Sequence, residues 1–173
     1  MFSDPKKILP QFDIREGLSV ADIGAGSGHY TLELAKRVGT GKVYAIDIQK
    51  DLLARIKNHA HKELLHNVEI IWSDVDEEHG TTLRDGSIDR VLLSNTLFQL
   101  ENKETIVKEI QRILKPGGKV LVIDWADSFD NLGPTPNNVV TRTKAKELFQ
   151  NGGFSFKHDV EVGAHHYGII LER

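Results

Sequence analysis

Short apolar runs alternate with amphipathic helical stretches along almost the whole chain, and no other feature constrains the fold as much. Residues 18–23 read as a buried strand closed by Gly24. The helix predicted over 30–38 places Thr31, Leu34, Ala35 and Val38 on one face. A strand over 42–48 precedes a helix over 51–65, whose Leu53, Ile56, Ala60 and Leu64 form a stripe. Strands over 68–72 and 88–93 follow, then a helix over 102–114 with Ile106, Ile110 and Ile113 turned inward. Pro116-Gly117-Gly118 is expected to end that helix and turn the chain into a strand over 119–124. A loop rich in Asn, Pro and Gly over 127–138 leads to a helix over 143–150 and two closing strands, 155–162 and 166–172. Strands separated by helices require right-handed crossovers, which makes the sheet doubly wound and mostly parallel. Only Gly163, Ala164 and His165 separate the last two strands, so these are expected to be antiparallel, at or near a sheet edge. The expectation is an α/β fold with a seven-stranded sheet and an antiparallel final strand. It forms one domain over 1–173, with 1–16 as a lead-in segment.

Composition narrows the function. A length of 173 residues suits one sizeable core, and a net charge of -3 gives no electrostatic reason to expect nucleic acid. Cysteine is absent, which removes disulfides, thiolate metal sites and a cysteine nucleophile. His59, His61 and His66 have the wrong spacing for a metal pair on one helix face and read as solvated, so no metal is expected. No apolar run reaches the roughly 20 residues needed to span a bilayer. The first 11 residues are polar and proline-punctuated, unlike a signal peptide, so the expected location is the cytoplasm.

The chemistry centres on Val20-Ala21-Asp22-Ile23-Gly24-Ala25-Gly26-Ser27-Gly28, where a strand ends in glycines and opens into a helix. Glycine lets the backbone turn tightly and approach a ligand with no Cβ in the way. The spacing Gly24-x-Gly26-x-Gly28 is not the dinucleotide pattern, and the lysine of a phosphate-binding loop is missing. Asp47 ends the second strand, 19 residues after Gly28, where a carboxylate can accept hydrogen bonds from both ribose hydroxyls of a nucleoside.

The glycine stretch resembles the first motif of class I S-adenosylmethionine (SAM) dependent methyltransferases. Arg112-Ile113-Leu114-Lys115-Pro116-Gly117-Gly118 is similar to that family's helix-to-fifth-strand signature, and the closing hairpin fits its antiparallel seventh strand. The resemblance covers Gly17 to Arg173 and is nearest to the small-molecule group containing ubiquinone and menaquinone C-methyltransferases. It implies a Rossmann-like sheet and SAM as cofactor. It also implies a cofactor site of Asp22, Gly24, Ala25, Gly26, Gly28, Asp47, Ile48, Asp74, Val75 and Asn95. Within that site Asp22 would help hold the methionyl ammonium, and Asp74 would accept from the adenine amino group.

Ligands of such sheets bind outside the carboxyl ends of the parallel strands. Asn95, Gln99, Asp124, Trp125 and Asp127 therefore fall on the acceptor side, and the hairpin turn adds His165, His166 and Tyr167. Candidate catalytic groups are His165, His166 and Asp124, since a histidine near its ordinary pKa suits proton removal from an acceptor. Residues 94–97 lack the Asn/Asp-Pro-Pro-Tyr/Phe motif used on planar nitrogens. What remains is O-, N- or C-methylation of a small-molecule substrate. Two other readings stay open: an oxidoreductase using NAD(P), and a non-catalytic SAM-binding subunit of a larger complex.

Overall fold

A computed structural model describes residues 4–129 and 133–173. The chain runs α1 (Pro5–Ile8), a 3-10 turn (Leu9–Phe12), β1 (Ser19–Ile23), α2 (His29–Val38), β2 (Lys42–Asp47), α3 (Lys50–Lys62) and β3 (Val68–Trp72). It continues through β4 (Ile88–Ser94), a 3-10 turn (Leu97–Gln99), α4 (Lys103–Ile113), β5 (Leu114–Trp125) and a 3-10 turn (Pro136–Asn138). It closes with α5 (Arg142–Asn151), β6 (Ser155–Val160) and β7 (His166–Glu172). The seven strands form one sheet in the order β3-β2-β1-β4-β5-β7-β6. The first five pair in parallel, and β7 runs antiparallel between β5 and β6. The expected architecture is present, with the final strand inserted rather than placed at the margin. The strand order reverses between β1 and β4, and a crevice opens there above the strand ends.

Each face of the sheet is covered by the helices whose stripes the sequence displays. Ala21, Val91, Val120, Val122 and Ile169 pack against Ile106, Ile110 and Ile113 of α4 and Phe149 of α5. On the opposite face, Val20, Val43, Leu92 and Leu121 pack against Leu34 and Val38 of α2. Leu53 and Ile56 of α3 meet Ala45 on that same face. These side chains are almost all fully buried, and burying each is worth about 1.5–3 kcal/mol.

Three local expectations change. The lead-in is not a polar tail: Ile8, Leu9 and Phe12 are buried in the α2-side core. Asp4 caps this turn by accepting from the Lys6 amide, and Pro5 supplies the fixed φ of a helix start. The Pro-Gly-Gly segment is not a free-standing turn, because β5 already begins at Leu114, paired with Ile88. The extra residues form an irregularity before Arg90 pairs with Lys119, and Gly117 takes a positive φ of 75°. Finally, β6 stops at Val160, so five residues rather than three join it to β7.

Candidate active site

The glycine turn after β1 is shaped by two different demands. Gly24 has φ 71°, and a Cβ there would lie 2.0 Å from the Thr96 hydroxyl oxygen, so β1 and the end of β4 meet with no side chain between them. Gly26 has φ 54°, yet a Cβ there would meet only the Gly24 carbonyl, at 3.8 Å. Space beside Gly26 is left free by the protein's own atoms, as a ligand cradle requires. Gly28 serves packing instead: its absent Cβ admits Ile56 of α3, which would otherwise be 2.6 Å away.

A cavity of about 830 Å³ opens over the carboxyl ends of β1 to β4. This is within the usual range for small-molecule sites, roughly 300–1,000 Å³. Nine of the ten expected cofactor residues line it: Asp22, Gly24, Ala25, Gly26, Asp47, Ile48, Asp74, Val75 and Asn95. Gly28 does not. Asp47 accepts from the Gly26 amide at 2.8 Å through one oxygen and from the Gln49 amide at 2.8 Å through the other. The carboxylate is thereby fixed at the cavity wall beside the glycine cradle.

Asp22 is only 2% exposed, and its polar contact is the Thr31 hydroxyl, which donates at 2.6 Å. Burial pushes its carboxyl up to about 6, the Thr31 hydrogen bond opposes the rise, and the Asp47 charge adds to it. A buried carboxylate with a single neutral donor among the described residues is costly, and a ligand cation is the partner that would relieve it. Asp74 stands on a turn in which its side chain accepts from the Asp76 amide at 3.0 Å. The following loop is clamped by buried Glu109, which accepts from Thr81 and pairs with Arg112 at 2.7 Å.

The apolar wall is Ile48 and Val75. Ile48 is 54% exposed, and its carbonyl accepts from the Trp72 indole at 2.9 Å, which fixes the segment. On the opposite wall Asn95 holds a positive φ of 53° and donates its amide to the Ile123 carbonyl. Its side-chain oxygen is buried without a hydrogen-bond partner among the described residues. A strained residue with an unused acceptor at a cavity wall is poised to take a ligand donor.

A model of the methyltransferase domain family matches residues 14–153. This chain belongs to that family. The structure is similar to that of a SAM-dependent methyltransferase from Aquifex aeolicus, with 31% identity, 99% of this chain and 90% of that chain covered, and a TM-score of 0.88. Among curated relatives, it is 30% identical over 120 residues to a demethylmenaquinone methyltransferase of Staphylococcus aureus (strain MRSA252). That match covers 69% of this chain and 48% of the relative. It is 33% identical over 115 residues to the ubiquinone/menaquinone biosynthesis C-methyltransferase UbiE of Hydrogenovibrio crunogenus, covering 65% and 44% respectively. The chain thus spans about half the length of these curated relatives. Membership of the methyltransferase family does not favour the oxidoreductase reading.

Within this methyltransferase domain, the three candidate catalytic residues stand outside the cavity lining. His165 is turned to Asp127, with Nδ1 3.0 Å from its carboxylate, and stacks on Phe129 at 3.9 Å. His166 packs against Trp125 with ring centroids 4.3 Å apart and the rings inclined by 39°, and burial lowers its pKa. Asp124 is fully buried beneath the residues that follow β4. Alternation along a strand gave their faces but not their reach.

Lining residues that are not among the ten expected cofactor residues include Asp4, Tyr30, Asp76 and Thr96. For Asp4 a signal existed, since Asp followed by Pro is a helix-start pair. Thr96 carries no mark in the sequence, because its importance lies in facing Gly24 across two strands. Among the described residues no metal-ligating group is present, and no helix is long and apolar enough to cross a membrane.

Proposed function

We propose that this chain binds SAM in the cavity above β1 to β4 and transfers its methyl group to a small uncharged acceptor of the phenol or quinol type. The observation that carries this reading is the junction of the open Gly26 cradle, buried Asp22 and fixed Asp47 on one wall. In it Asp47 takes the ribose hydroxyls, Asp74 the adenine amino group, and Ile48 and Val75 the adenine faces. Asp22 holds the methionyl ammonium, and Asn95 accepts from the remaining donor nearby. SAM, when bound, supplies a methyl group already activated on a sulfonium, so the protein's work is alignment and, for a protonated acceptor, proton removal. His29, the imidazole among the lining residues, is within the cavity for that task.

Charge supports the acceptor class. Asp4, Asp22, Asp47, Asp74 and Asp76 line the cavity, with no lysine or arginine among the lining residues. A phosphorylated or carboxylated acceptor would enter a field of like sign, whereas a neutral ring would not. The same field opposes the pyrophosphate of NAD. The S. aureus and H. crunogenus relatives, named for quinone-type acceptors, lend support to a neutral aromatic one. A single SAM-binding unit over residues 1–173 is part of this proposal.

Calorimetry tests the assignment directly: SAM should bind and NAD should bind far more weakly, and the reverse order rejects it. Asp47→Ala should weaken SAM by at least about tenfold with the fold intact, more than Asp74→Ala does, because hydrogen bonds to a charged group are worth roughly 1.5–3 kcal/mol each. A folded Asp47→Ala protein with an unchanged dissociation constant removes the ribose role. Methyl transfer to a short-chain demethylmenaquinol by the isolated chain would exclude the non-catalytic reading.

A further inference from the structure

We propose that Asp124 is a positioning residue that holds the acceptor-side wall of the cavity, residues 95–100, through hydrogen bonds to the backbone of the turn at Leu97–Gln99. The wall itself is lined by Asn95, Thr96, Gln99 and Leu100. Asp124 lies below it on β5 with no exposed surface. One carboxylate oxygen accepts from the Phe98 amide at 3.2 Å, and the other accepts from the Trp125 amide at 2.8 Å. The Leu97 amide also stabilises the charge. The turn has no side-chain cap of its own, so its first amides depend on this carboxylate.

Both oxygens face N–H donors, and only a carboxylate can satisfy that arrangement. An amide has one acceptor, and its NH2 group would be turned against a donor. The charged groups facing Asp124 are few. Tyr167 is its cross-strand partner on β7, and its hydroxyl is buried with no partner among the described residues. Lys103 on α4 favours the charge, while burial dominates and pushes the carboxyl up to about 6. The wall is therefore held by bonds to an ionised carboxyl whose burial cost they offset in part. This mechanism acts on the wall and leaves the Asp22–Asp47 side untouched. It rests on the cavity being the methyl-transfer site, but its physical core concerns the wall alone.

Backbone amide exchange at pH 8 in wild type, Asp124→Asn and Asp124→Ala, corrected for intrinsic rates, is the test. In the wild-type protein the Phe98 amide should be at least about tenfold better protected than in either variant, while β1 and β2 amides stay equally protected in all three. In Asp124→Asn the Phe98 amide should be weakly protected, because the acceptor it faces is replaced by an NH2 group or turned away. SAH, used as the binding probe, should lose less than about threefold in affinity at pH 8, because Asp22 and Asp47 are intact and Asn95 keeps its own anchor, its amide bonded to the Ile123 carbonyl. With a short-chain demethylmenaquinol as acceptor, KM for the acceptor should rise while KM for SAM does not. A Phe98 amide as well protected in a folded Asp124 variant as in wild type overturns the proposal, and so does a wild-type Phe98 amide that exchanges as fast as an unstructured one, a result that needs no variant. No turnover of the probe by wild type would reject the acceptor class instead and leave the exchange result standing.

Discussion

Asp22→Asn should abolish tight SAM binding and yet make the folded protein more stable. Asn keeps an oxygen to accept from Thr31, so the local geometry survives. What it loses is the charge, which the ligand ammonium needs and which the empty fold does not. Losing a buried charge partner typically costs about 3–5 kcal/mol, so affinity should fall by at least about 100-fold. The stability gain has the opposite origin. In the folded state burial pushes the Asp22 carboxyl up to about 6, above the ordinary value for aspartate of about 3.9. The folded state therefore holds the proton more tightly, and stability is lost as pH rises from the lower value to the higher. At pH 8 the ionised group costs on the order of 3 kcal/mol, and below about pH 4 it costs almost nothing. Asp22→Asn should thus unfold several degrees higher than wild type at pH 8, with the difference vanishing in acid. Wild-type SAM affinity should be full above about pH 7 and decline below pH 6, because a protonated Asp22 must release its proton to pair with the ammonium. Calorimetry and thermal unfolding across pH measure both; a variant that binds SAM normally, or that is less stable at pH 8, contradicts the account.

Gly24→Ala and Gly26→Ala should fail in opposite ways although the two glycines are two residues apart. At Gly24 the new methyl would lie 2.0 Å from Thr96 Oγ1 and 2.9 Å from its Cγ2, in a backbone conformation that disfavours any side chain. Thr96 is buried and β-branched, so it cannot swing away. The expected loss is more than about 4 kcal/mol, enough to unfold a protein of ordinary stability. At Gly26 only the positive φ opposes alanine, costing about 1–2 kcal/mol, and the methyl enters the cavity. Gly26→Ala should fold and lose SAM affinity at least about tenfold. The pairing with Thr96 can be isolated: Thr96→Gly should restore much of the stability lost in Gly24→Ala and none of the affinity lost in Gly26→Ala. Urea unfolding of the four proteins gives the coupling energy, and a coupling near zero shows that the contact is not the cause.

What could be read from residues alone follows from how local each cue is. Strand ends and the glycine turn are local, so Asp22, Asp47 and Asp74 could be placed from spacing and resemblance, and all three line the cavity. Gly28 carries the same spacing cue, but its partner is Ile56, far along the chain, and no motif encodes that contact. The hairpin histidines were placed at the correct edge by topology. Their rings are committed to Asp127 and Trp125, a matter of side-chain direction that a period of two cannot settle. The docking of the lead-in is less legible, because its apolar Ile8, Leu9 and Phe12 are interrupted by Pro10 and Gln11, which hide a one-turn helix followed by a 3-10 turn.

The position of β7 sets an order of events during synthesis. Its residues come after those of β6, yet β6 pairs only with β7, and β7 alone joins it to β5. As the chain leaves the ribosome, the five parallel strands can assemble while β6 has nothing to bind. An exposed β5 margin and an unpaired β6 then coexist until residues 166–172 emerge and slide between them, closing both ladders in one step. Such a late, non-local closure is slow relative to helix formation and leaves two adhesive edges open meanwhile. A nascent chain halted before residue 166 is accordingly the form of this protein most prone to pair with a neighbour.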